Sequence, residues 1–202
     1  MSTTSKNRAD LGEALQEMRD RLDEAKGSDL QDATAVSLAT STPEGHPSIR
    51  TIYICDILES GPAFFVNMDS GKGKQIAANP QVALCMFWPQ LQQQVTLEGK
   101  VEVLPAETAD DLWRHRSRDS QLASWVSDQN PTEETRASLT VRRDQLKADF
   151  DFASVPRPEN WQALLIHPSR IEFWKTGWHR MRQRKLYSKN AHGDWEVEIE
   201  NP

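Results

Sequence analysis

The chain has 202 residues, 37% of them apolar and 27% charged, with a formal net charge of -6; this is enough to bury one core with at most a short appended segment. The acidic balance argues against a nucleic-acid partner, whose binders present a basic surface. The polar start MSTTSKNRAD lacks the apolar stretch of a secretory leader, and no run of about 18 apolar residues is available to span a membrane, so a cytoplasmic protein is expected.

Residues 1–7 are polar and expected to be disordered. Over residues 10–26, Leu11, Leu15, Met18 and Leu22 recur every three or four positions, the pattern of an amphipathic helix that Gly27 ends. The period then changes. Residues 33–40 and 48–55 read as strands around the turn Thr42-Pro43-Glu44-Gly45, and residues 62–67 as a third strand after Glu59-Ser60-Gly61. Such short turns imply antiparallel pairing. Residues 70–78 read as a short helix entered through glycines, and residues 82–88 (VALCMFW) as a wholly apolar strand. In residues 94–104 the alternation is strict: Val95, Leu97, Val101 and Val103 face one way, and Thr96, Glu98, Lys100 and Glu102 the other. Helices are predicted over 105–114, 120–126 and 131–149, the last with Pro and acids in its first turn and cations in its second half. A rigid linker, residues 155–158, leads to four short strands at 161–166, 170–174, 180–187 and 195–199. The architecture is α+β with an antiparallel sheet or barrel. Cys55 and Cys85 lie in apolar runs and read as buried thiols. No spacing of His, Asp, Glu or Cys suits a metal.

Four features could carry chemistry. Arg50 sits inside an otherwise apolar strand, where a guanidinium needs either an anionic ligand or an internal carboxylate. Ser70-Gly71-Lys72-Gly73-Lys74 places glycines and a cation at a helix entry, which suits a phosphate but equally a solvated turn. Arg114 to Gln121 is densely cationic, either a solvated face or a guanidinium and hydroxyl clamp for a phosphate. In residues 174–185 basic and aromatic residues interleave, and strand alternation places Arg180, Arg182 and Arg184 on one face. A stripe of this kind can bind nucleic acid; in an acidic chain an anionic planar ligand fits better. No nucleophile and base pair is recognisable, so the chemistry belongs to a cofactor.

Taken in order, the Arg50 strand, FFVNMDSGKGKQIAANP, LCMFWPQLQQQVTLEGKVEVLP, RSRDSQLASWVSDQN, VPRPENWQ and RIEFWKTGWHRMRQRKLY resemble the pyridoxamine 5'-phosphate oxidase family, over roughly Ala33 to the C-terminus. The resemblance implies a split β-barrel homodimer with peripheral helices. It would comprise a tail and helix over residues 1–30 and one FMN-binding domain over 31–202 whose dimerisation segment starts near residue 155. FMN would lie in a cleft between subunits. Arg50 and Lys72 would serve its phosphate. Thr51, Ile52, Phe65, Val66 and Ser70 would line the cleft, with Gln94, Gln129, Trp174 and Arg184 completing it. Arg116 and Ser120 would bind the substrate, and Arg180 and Arg182 would bind it beside the reacting carbon as the catalytic pair. The implied reaction oxidises pyridoxamine or pyridoxine 5'-phosphate, with O2 as acceptor.

The substrate side departs from the family pattern. Cys55 stands where the family has a lysine, Leu112 where it has a tyrosine, Arg182 where it has a histidine, and Gly71 where it has an arginine. A charge-assisted hydrogen bond is worth about 1.5–3 kcal/mol, so two missing phosphate partners weaken binding by about two to four decades. Four readings follow: a true B6-phosphate oxidase, an FMN oxidase of another small anionic aromatic similar to the phenazine-biosynthesis relatives, a non-catalytic flavin binder, and last a protein that keeps the fold and binds no flavin.

Overall fold

A computed structural model describes residues 5–128, 136–151, 153–176 and 182–200. Six antiparallel strands close a barrel: β2 (Ala35–Ser41), β3 (Pro47–Leu58), β4 (Gly61–Asn67), β5 (Gln81–Trp88), β6 (Gln93–Val103) and β7 (Trp161–Thr176). Around the ring β4 pairs β3, β3 pairs β2, β2 pairs β5 and β5 pairs β6, and β7 closes the circuit by pairing both β6 and β4.

The predicted strands at 161–166 and 170–174 are one 16-residue strand. Its first part pairs β4, and its second part carries β8 (Arg182–Lys189), then β9 (Trp195–Glu200) and β1 (Ser5–Arg8) away from the barrel. Pro168 does not break β7, because the β6–β7 register shifts between Glu98 and Gly99, opposite it. A Cβ on Gly99 would lie 2.3 Å from the His167 carbonyl oxygen, so only glycine lets the two strands close there. Disorder was expected at residues 5–7; instead Ser5–Arg8 pair with β9 from Ser5↔Ile199 to Arg8↔Glu196. Polar side chains conceal such a strand, because main-chain pairing alone secures it.

Helix α1 (Leu11–Lys26) starts on Asp10, whose side chain accepts from the Glu13 N–H at 2.8 Å. It buries Ala14, Leu15, Met18, Leu22 and Ala25 in the same core as Leu38, Phe64, Met86, Trp88, Leu97 and Phe173. The remaining helices are α2 (Gly71–Ala78), α3 (Ala106–Arg114), α4 (Arg118–Asp128) and α5 (Arg136–Phe150). In β6 Val95, Leu97 and Val101 point inward as predicted, while Val103 at the strand end is half exposed. The wholly apolar β5 has two different faces. Val82, Leu84, Met86 and Trp88 enter the core, and Phe87 stays 55% exposed on the outside.

A polar strap ties α1 to the sheet. Lys185 and Arg21 donate to Glu17 at 2.8 and 2.7 Å, Arg21 also donates to Gln93 at 3.2 Å, and Gln93 donates to Glu24 at 2.9 Å. Burial alone would raise the Glu17 carboxyl, but the bonds from Lys185 and Arg21 outweigh it and hold its pKa below the ordinary carboxylate value. A carboxyl depressed in the folded state contributes stability above its unfolded pKa and loses it as pH falls through the folded one. The melting temperature is therefore expected to fall as pH drops below about 4.5. Glu17→Gln should melt lower at neutral pH and converge on the wild type in acid. A gap between the two that stays constant with pH would contradict this.

Candidate active site

A cleft of about 790 Å3 opens between β3 and the α3–α4 helices. Of the residues singled out from the sequence, Thr51, Ile52, Phe65, Lys72, Arg116 and Ser120 line it. The size is that of a site for a small organic ligand.

Lys72 lines the cleft and feels the charge of Arg50, which is not itself among the lining residues. Arg50 is held by neutral acceptors: Nη1 donates to Thr40 Oγ1 at 2.6 Å and to the Leu38 carbonyl at 3.3 Å, and Nη2 to Gln75 Oε1 at 3.3 Å. Among the described residues no carboxylate pairs with it. Burial lowers the pKa of Arg50, and burial followed by the Arg50 charge lowers that of Lys72. Two partly desolvated cations that repel each other create a site for an anion. The glycines beside them also serve the fold. A Cβ on Gly73 would lie 2.5 Å from Met68 Cα, and the Gly73 N–H donates to Ser70 Oγ at 3.2 Å. Ser70 thus caps α2, and its hydroxyl donates to the Asn67 carbonyl at 2.6 Å. Val66 lies fully buried in the barrel core, away from the cleft lining.

The cationic segment 114–118 separates into three fates. Arg114 pairs with Asp111, and Arg118 donates to the carbonyls of Asp151 and Ala153. Arg116 alone of the three lines the cleft. Its guanidinium carbon lies 4.9 Å from the ring centroids of Phe65 and Trp113 and 5.6 Å from that of Trp161. Ser117 and Ser120 join hydroxyls at 2.8 Å beside it.

Two of the four positions that depart from the family pattern, Cys55 and Leu112, line this cleft. The reading of both cysteines as buried thiols is corrected: Cys85 is half-buried and Cys55 exposed. Alternation along β3 sets Cys55 on the outer face with Thr51 and Tyr53, while Ile52 and Ile54 point inward. The register shift from Ile54↔Phe64 to Asp56↔Ala63 comes after it and returns Ile57 to the core. Although the residue Cys55 is open to solvent, it stands in a cleft whose walls desolvate the thiolate; this, then the charge of Asp56, pushes the thiol to about 11, so it is neutral at physiological pH.

Gln94, Trp174 and Arg184 form a second cluster. The register sets Gln94 opposite Trp174 and Trp174 opposite Arg184, so the three share one row across β6, β7 and β8, apart from the cleft lining. Glu172 accepts from Arg184 at 3.0 Å and from Arg170 at 2.6 Å, which lowers its pKa. Arg182 opens β8 opposite Thr176. Gln129 and Arg180 lie outside the described residues, as does the Arg182 side chain. The sequence pointed to neither Tyr53 nor Trp161 in the cleft lining, nor to Trp113 buried behind it. Trp113 and Trp161 stand 48 positions apart, and only the fold brings them to one guanidinium.

The fold and site have clear relatives. The pyridoxamine 5'-phosphate oxidase family model matches residues 22–175, and that of the pyridoxine 5'-phosphate oxidase C-terminal dimerisation region matches residues 161–202. A pyridoxine/pyridoxamine 5'-phosphate oxidase of Sphingopyxis alaskensis is 41% identical over 170 residues, 84% of this chain and 79% of that protein. One from Anaeromyxobacter dehalogenans is 40% identical, covering 89% of this chain and 90% of that protein. Among solved structures, PhzG from Burkholderia lata, determined in complex with tetrahydrophenazine-1-carboxylic acid, superposes with a TM-score of 0.82 at 25% identity, over 93% of this chain and 92% of that one. Barrel, cleft and sequence relatives agree, and the chain belongs to the pyridoxamine 5'-phosphate oxidase family.

Proposed function

We propose that the protein is a homodimeric FMN-dependent oxidase that converts pyridoxamine or pyridoxine 5'-phosphate to pyridoxal 5'-phosphate with O2 as acceptor. The observation that carries the reading is the Arg50–Lys72 pair, two cations without a described carboxylate partner, of which Lys72 lines a cleft that also holds Arg116. That arrangement fits one phosphate at the pair and a second anion at Arg116. Bound FMN supplies the hydride acceptor, which no side chain of the protein can provide. Lys72 and Arg50 would hold its phosphate. Thr51, Ile52 and Phe65 would shape the cleft around its ring. Arg116 and Ser120 would orient the substrate anion, and Arg180 and Arg182 would complete the substrate site. The row of Gln94, Trp174 and Arg184 would join the site from a second subunit. Support for a dimer comes from the matched dimerisation region and from the outer barrel face. There Ile49 is 72% exposed, Tyr53 60% and Phe87 55%, an apolar face of the kind another copy covers.

A second reading, a carboxylated aromatic substrate, is favoured by the neutral Cys55 and Leu112 in the cleft and by the PhzG likeness. Anaerobic addition of pyridoxine 5'-phosphate to the FMN-loaded protein tests both. Bleaching of the flavin band is expected. A yellow protein that stays yellow with this donor but bleaches with a carboxylated aromatic supports the second reading. One that bleaches with neither is a flavin binder.

A further inference from the structure

Arg116 is held in an unusual way for a half-buried cation. Its Nη1 is shielded from solvent and has no hydrogen-bond partner among the described residues, and no described carboxylate pairs with it. Three aromatic faces surround it instead. Phe65 and Trp113 are each 4.9 Å from the guanidinium carbon and pack edge-to-face on one another at 5.5 Å, and Trp161 is 5.6 Å away. The rings are themselves fixed. The Trp113 indole donates to the Val155 carbonyl at 2.8 Å, and Gln121 donates to the Trp113 carbonyl at 2.7 Å. Trp161 sits in β7 opposite Asn67.

The contrast with the other cations defines what this arrangement does. Arg184 is paired with Glu172, Arg157 with Asp110 and Arg114 with Asp111. A carboxylate fixes an arginine and neutralises it. An aromatic face also fixes it, through the ring quadrupole, but leaves its full charge available. Trp161 and Phe65 line the same cleft as Arg116. Cys55 and Leu112 there supply no cation and no phenolic hydroxyl.

We infer that Trp113 and Trp161 are positioning residues: with Phe65 they form an aromatic cage that holds Arg116 un-neutralised on the cleft wall, so that its guanidinium stays available to the substrate's anionic group. The inference rests on the reading of Arg116 as the substrate-anion residue. It goes further by naming the side chains that keep this cation un-neutralised on a wall where Cys55 and Leu112 contribute no charge.

The test is binding of pyridoxal 5'-phosphate to the FMN-loaded protein by equilibrium dialysis, with kcat and KM measured alongside. Trp161→Leu is expected to weaken binding about 5- to 30-fold and raise KM to match, with kcat and FMN affinity unchanged. Trp161→Phe, which keeps an aromatic face, should restore most of the loss. In an Arg116→Gln background, Trp161→Leu should have no further effect. Should Trp161→Leu not fold, uniform 5-fluorotryptophan labelling weakens the π faces at nearly constant shape. Weaker pyridoxal 5'-phosphate binding at saturating FMN is then expected. Wild-type binding in Trp161→Leu, or in the fluorinated protein, beside a loss in Arg116→Gln overturns the cage alone. Wild-type binding in Arg116→Gln overturns the assignment of Arg116, and a wild-type protein that ignores the probe removes both.

Discussion

Lys72→Gln is expected to raise the FMN dissociation constant by about 10- to 150-fold, the range for one charge-assisted hydrogen bond to a phosphate. The same substitution should leave the apoprotein as stable as the wild type, or more so. Lys72 and Arg50 repel each other, and both are pulled below their ordinary pKa values with no described carboxylate to relieve them. Removing one charge relieves the other. Arg50 is also part of the fold, through Thr40, Leu38 and Gln75, so Arg50→Gln should lose FMN and some stability together. Titrating FMN into apoprotein and following quenching of flavin fluorescence gives the affinity, and melting the apoprotein gives the stability. An unchanged FMN affinity in Lys72→Gln would move the phosphate elsewhere. A clear drop in apoprotein melting temperature would make Lys72 a structural cation.

The second large effect is a gain. Cys55→Lys combined with Leu112→Tyr should tighten pyridoxal 5'-phosphate binding by about two to four decades, since each adds a donor worth about 1.5–3 kcal/mol with a charged acceptor. The fold has room for both, because each side chain already faces the cleft. Cys55 forgoes only its contact with the Ala63 carbonyl at 3.1 Å. Asp56 beside it favours the protonated ammonium. FMN affinity should not move. Tighter binding with a lower KM for pyridoxine 5'-phosphate identifies a phosphate site that had lost two of its partners. If binding does not change, the substrate anion does not reach this wall, and the reading of Cys55 and Leu112 as vacated phosphate positions fails.

Much of this protein was legible from residue order. Period-two alternation in 94–104 placed β6 because one face of a half-buried strand must be apolar, and the three- and four-residue steps in 10–26 placed α1 for the matching reason. The apolar, exposed faces of β3 and β5 were not legible, because an apolar run cannot reveal which of its faces meets the core and which another surface. The β1 pairing was invisible because main-chain bonds leave no side-chain pattern. At the site, residue order singled out Arg50, Lys72 and Arg116 as cations in places where a cation needs a reason. Only the tertiary structure decided which reason applied: neutral mooring for Arg50, capping duties for Ser70 and Gly73, a carboxylate partner for Arg184, and three rings for Arg116. It also decided that the outer face of β3, which carries Thr51, Tyr53 and Cys55, is a wall of the cleft. Type and period are local properties that the chain carries by itself. Register, and the meeting of Trp113 with Trp161 across 48 residues, depend on how distant segments close on one another, and no local pattern encodes that.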